Sequence, residues 1–189
     1  ATKDLLLLAN HLKMDAAYDE INQWIEKLTQ GSQSLWNESV NGFCAKDLRT
    51  GKFSDGITNA SMLCFYADFG EAEQKEKMRA HCERILNKCN FAFPSWDPEH
   101  ESFNRIRYWR GPIWLVMNYM IVQGLGECGY PSLAEKIKSD TKKLVNKAGM
   151  AEYFDPIEGS PLGGTDFSWT AAIYLEMSSE KIREILTNY

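Results

Sequence analysis

The stretch Tyr108–Glu127, "YWRGPIWLVMNYMIVQGLGE", decides how this chain must fold. From Pro112 onward a helix would show apolar side chains nearly all round, with almost no polar face to leave in water. Such a helix is surrounded by other helices, so the segment predicts an interior position in an all-α fold. The run Ile113 to Val122 is ten residues with Asn118 inside it, too short to span a membrane. Pro112 is expected just inside the helix start, where its missing N–H is not needed. Three rings and a guanidinium, Tyr108, Trp109, Trp114 and Arg110, stand where the loop meets this helix. A cluster of that kind at a buried helix start raises the question of what it faces.

Outward from this segment, helical periodicity dominates. In "DAAYDEINQWIEKL", Ala17, Ile21, Trp24, Ile25 and Leu28 form one apolar stripe. Met78, Cys82, Ile85, Leu86 and Cys89 form a second. Leu133, Ile137, Leu144 and Ala148 form a third, opened by Pro131 and closed by Gly149, the expected end signals. Between the first two, "NGFCAKDLRTGKF" reads as a short hairpin and "NASMLCFYADFG" as a helix ending at Gly70. A last pair of helices is expected over Phe167 to Met177 and Ser179 to Leu186. About seven helices result, with hardly any strand, and residues 1–189 read as a single helical unit.

Bulk properties narrow the function. The chain has 189 residues, 44% hydrophobic and 25% charged, an ordinary globular balance. Net charge is −5, so no basic surface exists for nucleic acid. Six tryptophans make it rich in flat platforms of the kind that stack on sugar rings. "LLLLA" at Leu5 to Ala9 is too short for a secretory signal and lacks a cleavage site. The five cysteines form no C-x-x-C pair, which favours reduced, buried thiols and a cytoplasmic location. Two glycosylation-acceptor patterns, at Asn37 and Asn59, carry little weight. No metal site or cofactor is expected; Asp155, Glu158 and Asp166 match no calcium-loop spacing.

Two long irregular stretches, Phe91 to Arg110 and Glu152 to Asp166, interrupt the helices, and loops of this length inside a compact domain commonly carry function. The first brings Trp96, Tyr108, Trp109 and Arg110 up to Trp114. The second brings Glu152, Tyr153, Asp155, Glu158 and Asp166 up to Trp169, with Gly159, Gly163 and Gly164 to turn on. A carboxylate beside aromatic faces suits glycoside hydrolysis, in which rings bind the sugar and the carboxylate activates water. Plainer readings stand beside it. The rings can be core, Arg110 can pair with a buried carboxylate, Glu152 can be solvated, and Asn118 and His81 can serve backbone groups.

These motifs carry a resemblance. "YWRGPIWLVMNYMIVQGLGECGY" followed by "EYFDPIEGSPLGGTDFSWTAAIYLEM" is similar to the C-terminal half of a glycoside hydrolase family 63 catalytic domain, and the helical spacing of Ala1 to Phe93 extends the likeness over nearly the whole chain. The resemblance implies an (α/α)6 toroid, of which about half is present, and inverting hydrolysis of α-glucosides or α-mannosides. "EYFDP" and "FSWTAA" look more like the bacterial mannosylglycerate and glucosylglycerate hydrolases than the eukaryotic processing enzyme. It implies Glu152 as general base and Tyr108, Trp109, Arg110, Gly111 and Trp114 as the substrate pocket. Tyr153 would support the base loop, and Trp169 would pack beneath it. Arg110 hints at an anionic group such as glycerate.

One departure matters. The family's general acid is an aspartate in a motif of the kind "SGWDNSP", and nothing of that form occurs here. Twelve helices of about 11–12 residues plus loops also exceed this length. The chain is therefore expected to be a piece that needs the N-terminal half of the domain or a partner chain, with association through its uncovered apolar faces. Asp97, Glu101 and Asp166 are the carboxylates that would have to substitute as acid. The alternative from another class is a non-catalytic helical module that binds carbohydrate or protein.

Overall fold

A computed structural model describes residues 1–179, and the chain divides into two compact units, Ala1–Trp36 and Asn37–Tyr189. The first unit is a helical hairpin, α1 (Thr2–His11) against α2 (Asp15–Gln33). "LLLLA", Leu5 to Ala9, forms half of α1. Lys13, with φ of +55°, makes the reversal, and Met14 N–H donates to the Ala9 carbonyl at 2.9 Å. Of the stripe expected on α2, only Ile21 is buried, while Trp24 and Leu28 stay exposed.

The second unit holds the other helices: α3 (Leu63–Ala67), α4 (Ala72–Leu86), α5 (Leu115–Glu127), α6 (Pro131–Ala148) and α7 (Ser168–Ser178). Four two-residue strands pair as β1 (Trp36–Asn37) with β2 (Gly42–Phe43), and β3 (Tyr153–Phe154) with β4 (Pro161–Leu162). The hairpin expected from "NGFCAKDLRTGKF" is present as an antiparallel bridge between Lys46 and Phe53. Helix α4 starts with a capping box in which Glu71 and Gln74 satisfy each other's backbone N–H. Its inward stripe is the expected one, Met78, Cys82, Ile85 and Leu86. Helix α6 begins at Pro131 and ends at Gly149 (φ +78°), as its end signals predicted. The second helix of the expected last pair, beyond Ser179, lies outside the described residues.

Helix α5 is interior, as its lack of a polar face required. It packs against α3, α6 and α7. Gly124 is what allows α3 so close: a Cβ there would sit 2.2 Å from the Tyr66 backbone nitrogen. Asn118 is fully buried and serves the backbone, as its plainer reading held. Its side chain accepts from Phe93 N–H at 2.8 Å and donates to the Phe93 and Trp114 carbonyls at 2.9 and 3.1 Å.

One boundary differs from expectation. Pro112 does not open α5; the helix starts at Leu115, with Trp114 extended at φ −115°, ψ 119°. The reason is that Ile113 spends both its backbone groups on Phe154 and so cannot enter the helix.

All five cysteines are free, four of them buried, and burial pushes the Cys64, Cys82 and Cys89 thiols up to about 12. Asn37 and Asn59, the two acceptor-pattern asparagines, are both buried. Among the described residues no helix is long and apolar enough to cross a membrane.

Candidate active site

Two main-chain hydrogen bonds assemble the site. Ile113 N–H donates to the Phe154 carbonyl at 2.8 Å, and Phe154 N–H donates to the Ile113 carbonyl at 3.0 Å. This isolated antiparallel bridge joins the first long loop to the second. Ile113 and Phe154 are wholly buried. Their chain neighbours Trp114 and Tyr153 are thereby brought together.

The rings meet in one cluster. Tyr153 and Trp109 both stack on Trp114, with centroids 4.9 Å and 4.2 Å away and planes inclined by 22° and 7°. Tyr108 stands edge-on to all three, at 4.9 to 6.0 Å. Offset and edge-to-face pairs of this kind add to the burial of the rings themselves. Trp114 is 4% exposed, whereas Trp109 is 44% and Tyr108 49% exposed. The cluster therefore has a core foot and a solvent-facing head. Tyr108 sits at φ +29°, a region costly for a residue with a bulky side chain. Its carbonyl accepts from Trp114 Nε1 at 3.0 Å, which helps to hold that backbone.

Arg110 follows Trp109 directly in the chain. Its Nε donates to the Ser102 carbonyl at 3.1 Å. No carboxylate pairs with it among the described residues; the buried aspartates take other cations, Asp140 pairing with Lys136 and Lys143. Asp97 pairs with Arg84, and Asp155 with Arg105. Gly111 is buried and needs its missing side chain, because a Cβ would lie 2.3 Å from the Asn104 carbonyl oxygen. Its N–H donates to Ser95 Oγ at 2.9 Å.

Glu152, next to Tyr153, is half-buried. Its N–H donates to the Gly164 carbonyl at 2.9 Å, and its Oε2 accepts from Gly164 N–H at 3.2 Å. The second carboxylate oxygen has no hydrogen-bond donor among the described residues. A narrow crevice lined by Trp114, Leu115, Glu152, Phe167, Trp169 and Thr170 places this carboxylate beside the aromatic foot. Trp169 is 62% exposed. It flanks the Glu152 loop and does not pack beneath it as expected, since Thr170 takes the inward position and donates to the Ala151 carbonyl at 2.6 Å.

The remaining carboxylates have structural work. Asp155 accepts from the N–H groups of Ile157 and Glu158 at 2.8 and 3.2 Å and pairs with Arg105, which also reaches Glu158 at 2.6 Å. Burial opposes ionisation of Asp97, but the Arg84 hydrogen bonds and charge outweigh it and hold its carboxyl below the ordinary value. A group held ionised in this way cannot deliver a proton near neutrality. Glu101 and Asp166 are exposed, and Asp166 sits at φ +54° at the turn into α7.

Sequence reasoning named the rings, Arg110 and Glu152; the structure gathers Tyr108, Trp109, Trp114 and Tyr153 into one ring cluster and sets Glu152 and Trp114 on one crevice, while the Arg110 side chain turns to the Ser102 carbonyl. It did not name Arg105, Ser95 or the bridge pair Ile113–Phe154. The adjacent Gly163 and Gly164 were the available sign that the carboxylate is cradled by backbone: a Cβ on Gly163 would lie 2.6 Å from Glu152 Oε2.

Comparison with known proteins places the chain in a family. Residues 1–170 match the family described as the mannosylglycerate hydrolase MGH1-like glycoside hydrolase domain. A mannosylglycerate hydrolase of Selaginella moellendorffii is 34% identical over 175 residues, covering 93% of this chain and 36% of that protein. The GH63 mannosylglycerate hydrolase from Thermus thermophilus, solved in complex with Tris, superposes with a TM-score of 0.88 at 33% identity, covering 94% of this chain and 42% of that one. The same enzyme solved with Tris and D-glycerate gives a TM-score of 0.88 at 32% identity, with 94% and 43% covered. The chain thus spans about two fifths of the length of these relatives, and its all-α fold is part of their toroid.

Proposed function

We propose, from the premise that this chain belongs to the family of mannosylglycerate hydrolase MGH1-like glycoside hydrolase domains, that it supplies the general base and the sugar-facing wall of an inverting α-glycosidase. The observation that carries the proposal is the crevice in which Glu152 stands beside Trp114. In this reading the carboxylate oxygen left free by Gly164 takes a proton from water. The water oxygen bonds to the anomeric carbon from the face opposite the leaving group, and the glycosidic C–O bond breaks. The departing oxygen receives a proton from a general acid on the other side of the sugar, about 6.5–9.5 Å from the base.

None of Asp97, Glu101 and Asp166 suits that acid, the first being held ionised by Arg84 and the other two lying exposed. The acid belongs, in this proposal, to a part of the protein outside these residues or to a partner chain. Tyr108, Trp109 and Tyr153 stack or edge onto the sugar, with Trp114 and Gly111 holding them in place. Arg110, free of any carboxylate, suits an anionic aglycone, and a relative of this fold is solved with D-glycerate. The substrate class is therefore an α-linked mannoside or glucoside with an acidic aglycone. A reduced, cytoplasmic setting fits the buried free thiols, and the exposed apolar residues of α1 and α2 fit association with the rest of the domain.

The test is Glu152→Gln in the full-length protein. Turnover of such a glycoside should fall by about 10²–10⁴-fold, while the substrate's quenching or protection of tryptophan fluorescence is retained. Unchanged turnover would remove Glu152 from the mechanism and favour a non-catalytic binding module.

A further inference from the structure

Arg110 is held by a chain of contacts that begins on the far side of its loop. Asp55 Oδ1 lies 3.1 Å from His100 Nε2. His100 Nδ1 lies 3.0 Å from the Ser102 backbone nitrogen, which has only a proton to offer. The tautomer follows from that pairing: Nδ1 is the bare acceptor and Nε2–H donates to Asp55. The carbonyl of the same Ser102 accepts from Arg110 Nε at 3.1 Å. The imidazole is mostly covered, at 15% side-chain exposure, and stands edge-on to the Trp96 ring at 5.7 Å. Arg110's own backbone closes the turn, its N–H donating to the Arg107 carbonyl at 2.7 Å and its carbonyl accepting from Asn104 N–H at 2.6 Å.

We propose that His100 is a positioning residue for Arg110, acting through Ser102, with Asp55 fixing its tautomer. It touches no substrate. Without an acceptor at Nδ1 the Ser102 N–H loses its partner inside the loop, and Ser102 can shift about the following peptide, whose Phe103 N–H keeps its bond to the His100 carbonyl at 2.9 Å. The Ser102 carbonyl then moves off line, and the guanidinium loses the aim given by its Nε hydrogen bond. The inference rests on the reading of Arg110 as a substrate contact, and it adds a residue outside the pocket to the machinery that sets affinity.

The test is a double-mutant cycle in the full-length protein, read as KM and kcat on an α-mannoside or α-glucoside with an anionic aglycone. His100→Phe keeps a ring against Trp96 and removes the acceptor. His100→Asn restores an acceptor for the N–H two residues on, the geometry of an Asx turn. Arg110→Met keeps the stem and removes the guanidinium. His100→Phe should raise KM roughly fivefold, the loss of about one hydrogen bond's net effect, with kcat changed less than about twofold. His100→Asn should return KM to within about twofold of the parent. In the Arg110→Met background, His100→Phe should have no further effect on KM.

If Arg110→Met leaves KM unchanged, the pocket reading on which the inference rests is wrong. If Arg110→Met raises KM but the two changes multiply independently, or His100→Asn fails to rescue, then His100 does not act through Arg110. Melting temperatures of every variant separate loss of fold from loss of aim, since a purely structural histidine would lower stability equally in both backgrounds.

Discussion

Replacing Gly163 with alanine offers the sharpest test of how the carboxylate is held. Gly163 has φ of +72°, and a Cβ built there lies 2.6 Å from Glu152 Oε2, 2.6 Å from Tyr153 Cε1 and 2.9 Å from Glu152 Cβ. Ordinary contact begins near 3.4 Å, so Glu152 and Tyr153 must each yield by about 0.8 Å. Two effects follow and can be separated. The left-handed backbone costs an alanine about 1–2 kcal/mol of stability. Under the proposed mechanism the displaced carboxylate costs turnover, and a misplacement of about 1 Å is worth roughly 10²-fold. Gly129 supplies the control, for it has φ of +87° and no heavy atom within 4 Å of its built Cβ. Gly129→Ala therefore carries the backbone strain alone. Urea midpoints and steady-state kcat on an α-glycoside, measured in the full-length protein, should show a stability loss for Gly163→Ala that equals that of Gly129→Ala plus about 1–3 kcal/mol of overpacking. Only Gly163→Ala should lose about 10²-fold in kcat. Equal kcat values for Gly163→Ala and the parent would mean that this glycine does not shape the base, and the cradle argument fails.

Two further outcomes follow from the buried polar groups. Asn118→Leu leaves the Phe93 N–H and carbonyl without partners, at about 1–3 kcal/mol each. After the gain from a buried leucine, the net loss is about 2–4 kcal/mol and roughly 5–15 °C in Tm; a drop below about 1 °C in calorimetry would contradict the network. Asp97 has its carboxyl held below the ordinary value, so the unfolded chain takes up its proton first as pH falls. Its stabilisation is therefore complete above the unfolded carboxyl's range near about 3.9 and is lost as pH drops through that range toward the folded value. Asp97→Asn should remove that acid-side slope from a plot of unfolding free energy against pH, and an unaltered slope would assign it to other groups.

Much of this architecture is written locally. The end signals of α6, the inward stripe of α4 and the all-round apolarity of α5 each follow from side-chain chemistry within one or two turns, and each is legible without a partner. The all-α class was legible on the same grounds, and the family likeness of the two loop motifs singled out the rings, Arg110 and Glu152 as candidates. The start of α5 was not, because Pro112 permits a helix there and the competing demand on Ile113 comes from Phe154, far along the chain. Nor was α1, whose leucines read only as a stretch too short for a leader, with nothing nearby to mark a helix cap. The stripe on α2 shows the converse limit: periodicity finds an apolar face but does not say what covers it. Within the site, the sequence could not distinguish free Arg110 from paired Arg84 and Arg105. All three are arginines in or near loops, and only the fold decides which carboxylate each one meets.

The Ile113–Phe154 bridge has a consequence for how this site tolerates change. Its two hydrogen bonds use only main chain, so any apolar residue that fills the same space at either position leaves them intact. Register is another matter. Side chains alternate along extended backbone, and one residue added or removed between Gly111 and Trp114, or between Glu152 and Phe154, would turn an aromatic or the carboxylate to the opposite face. The two loops can thus vary in length away from the bridge and in composition at it, but at these few positions spacing is the quantity that cannot drift.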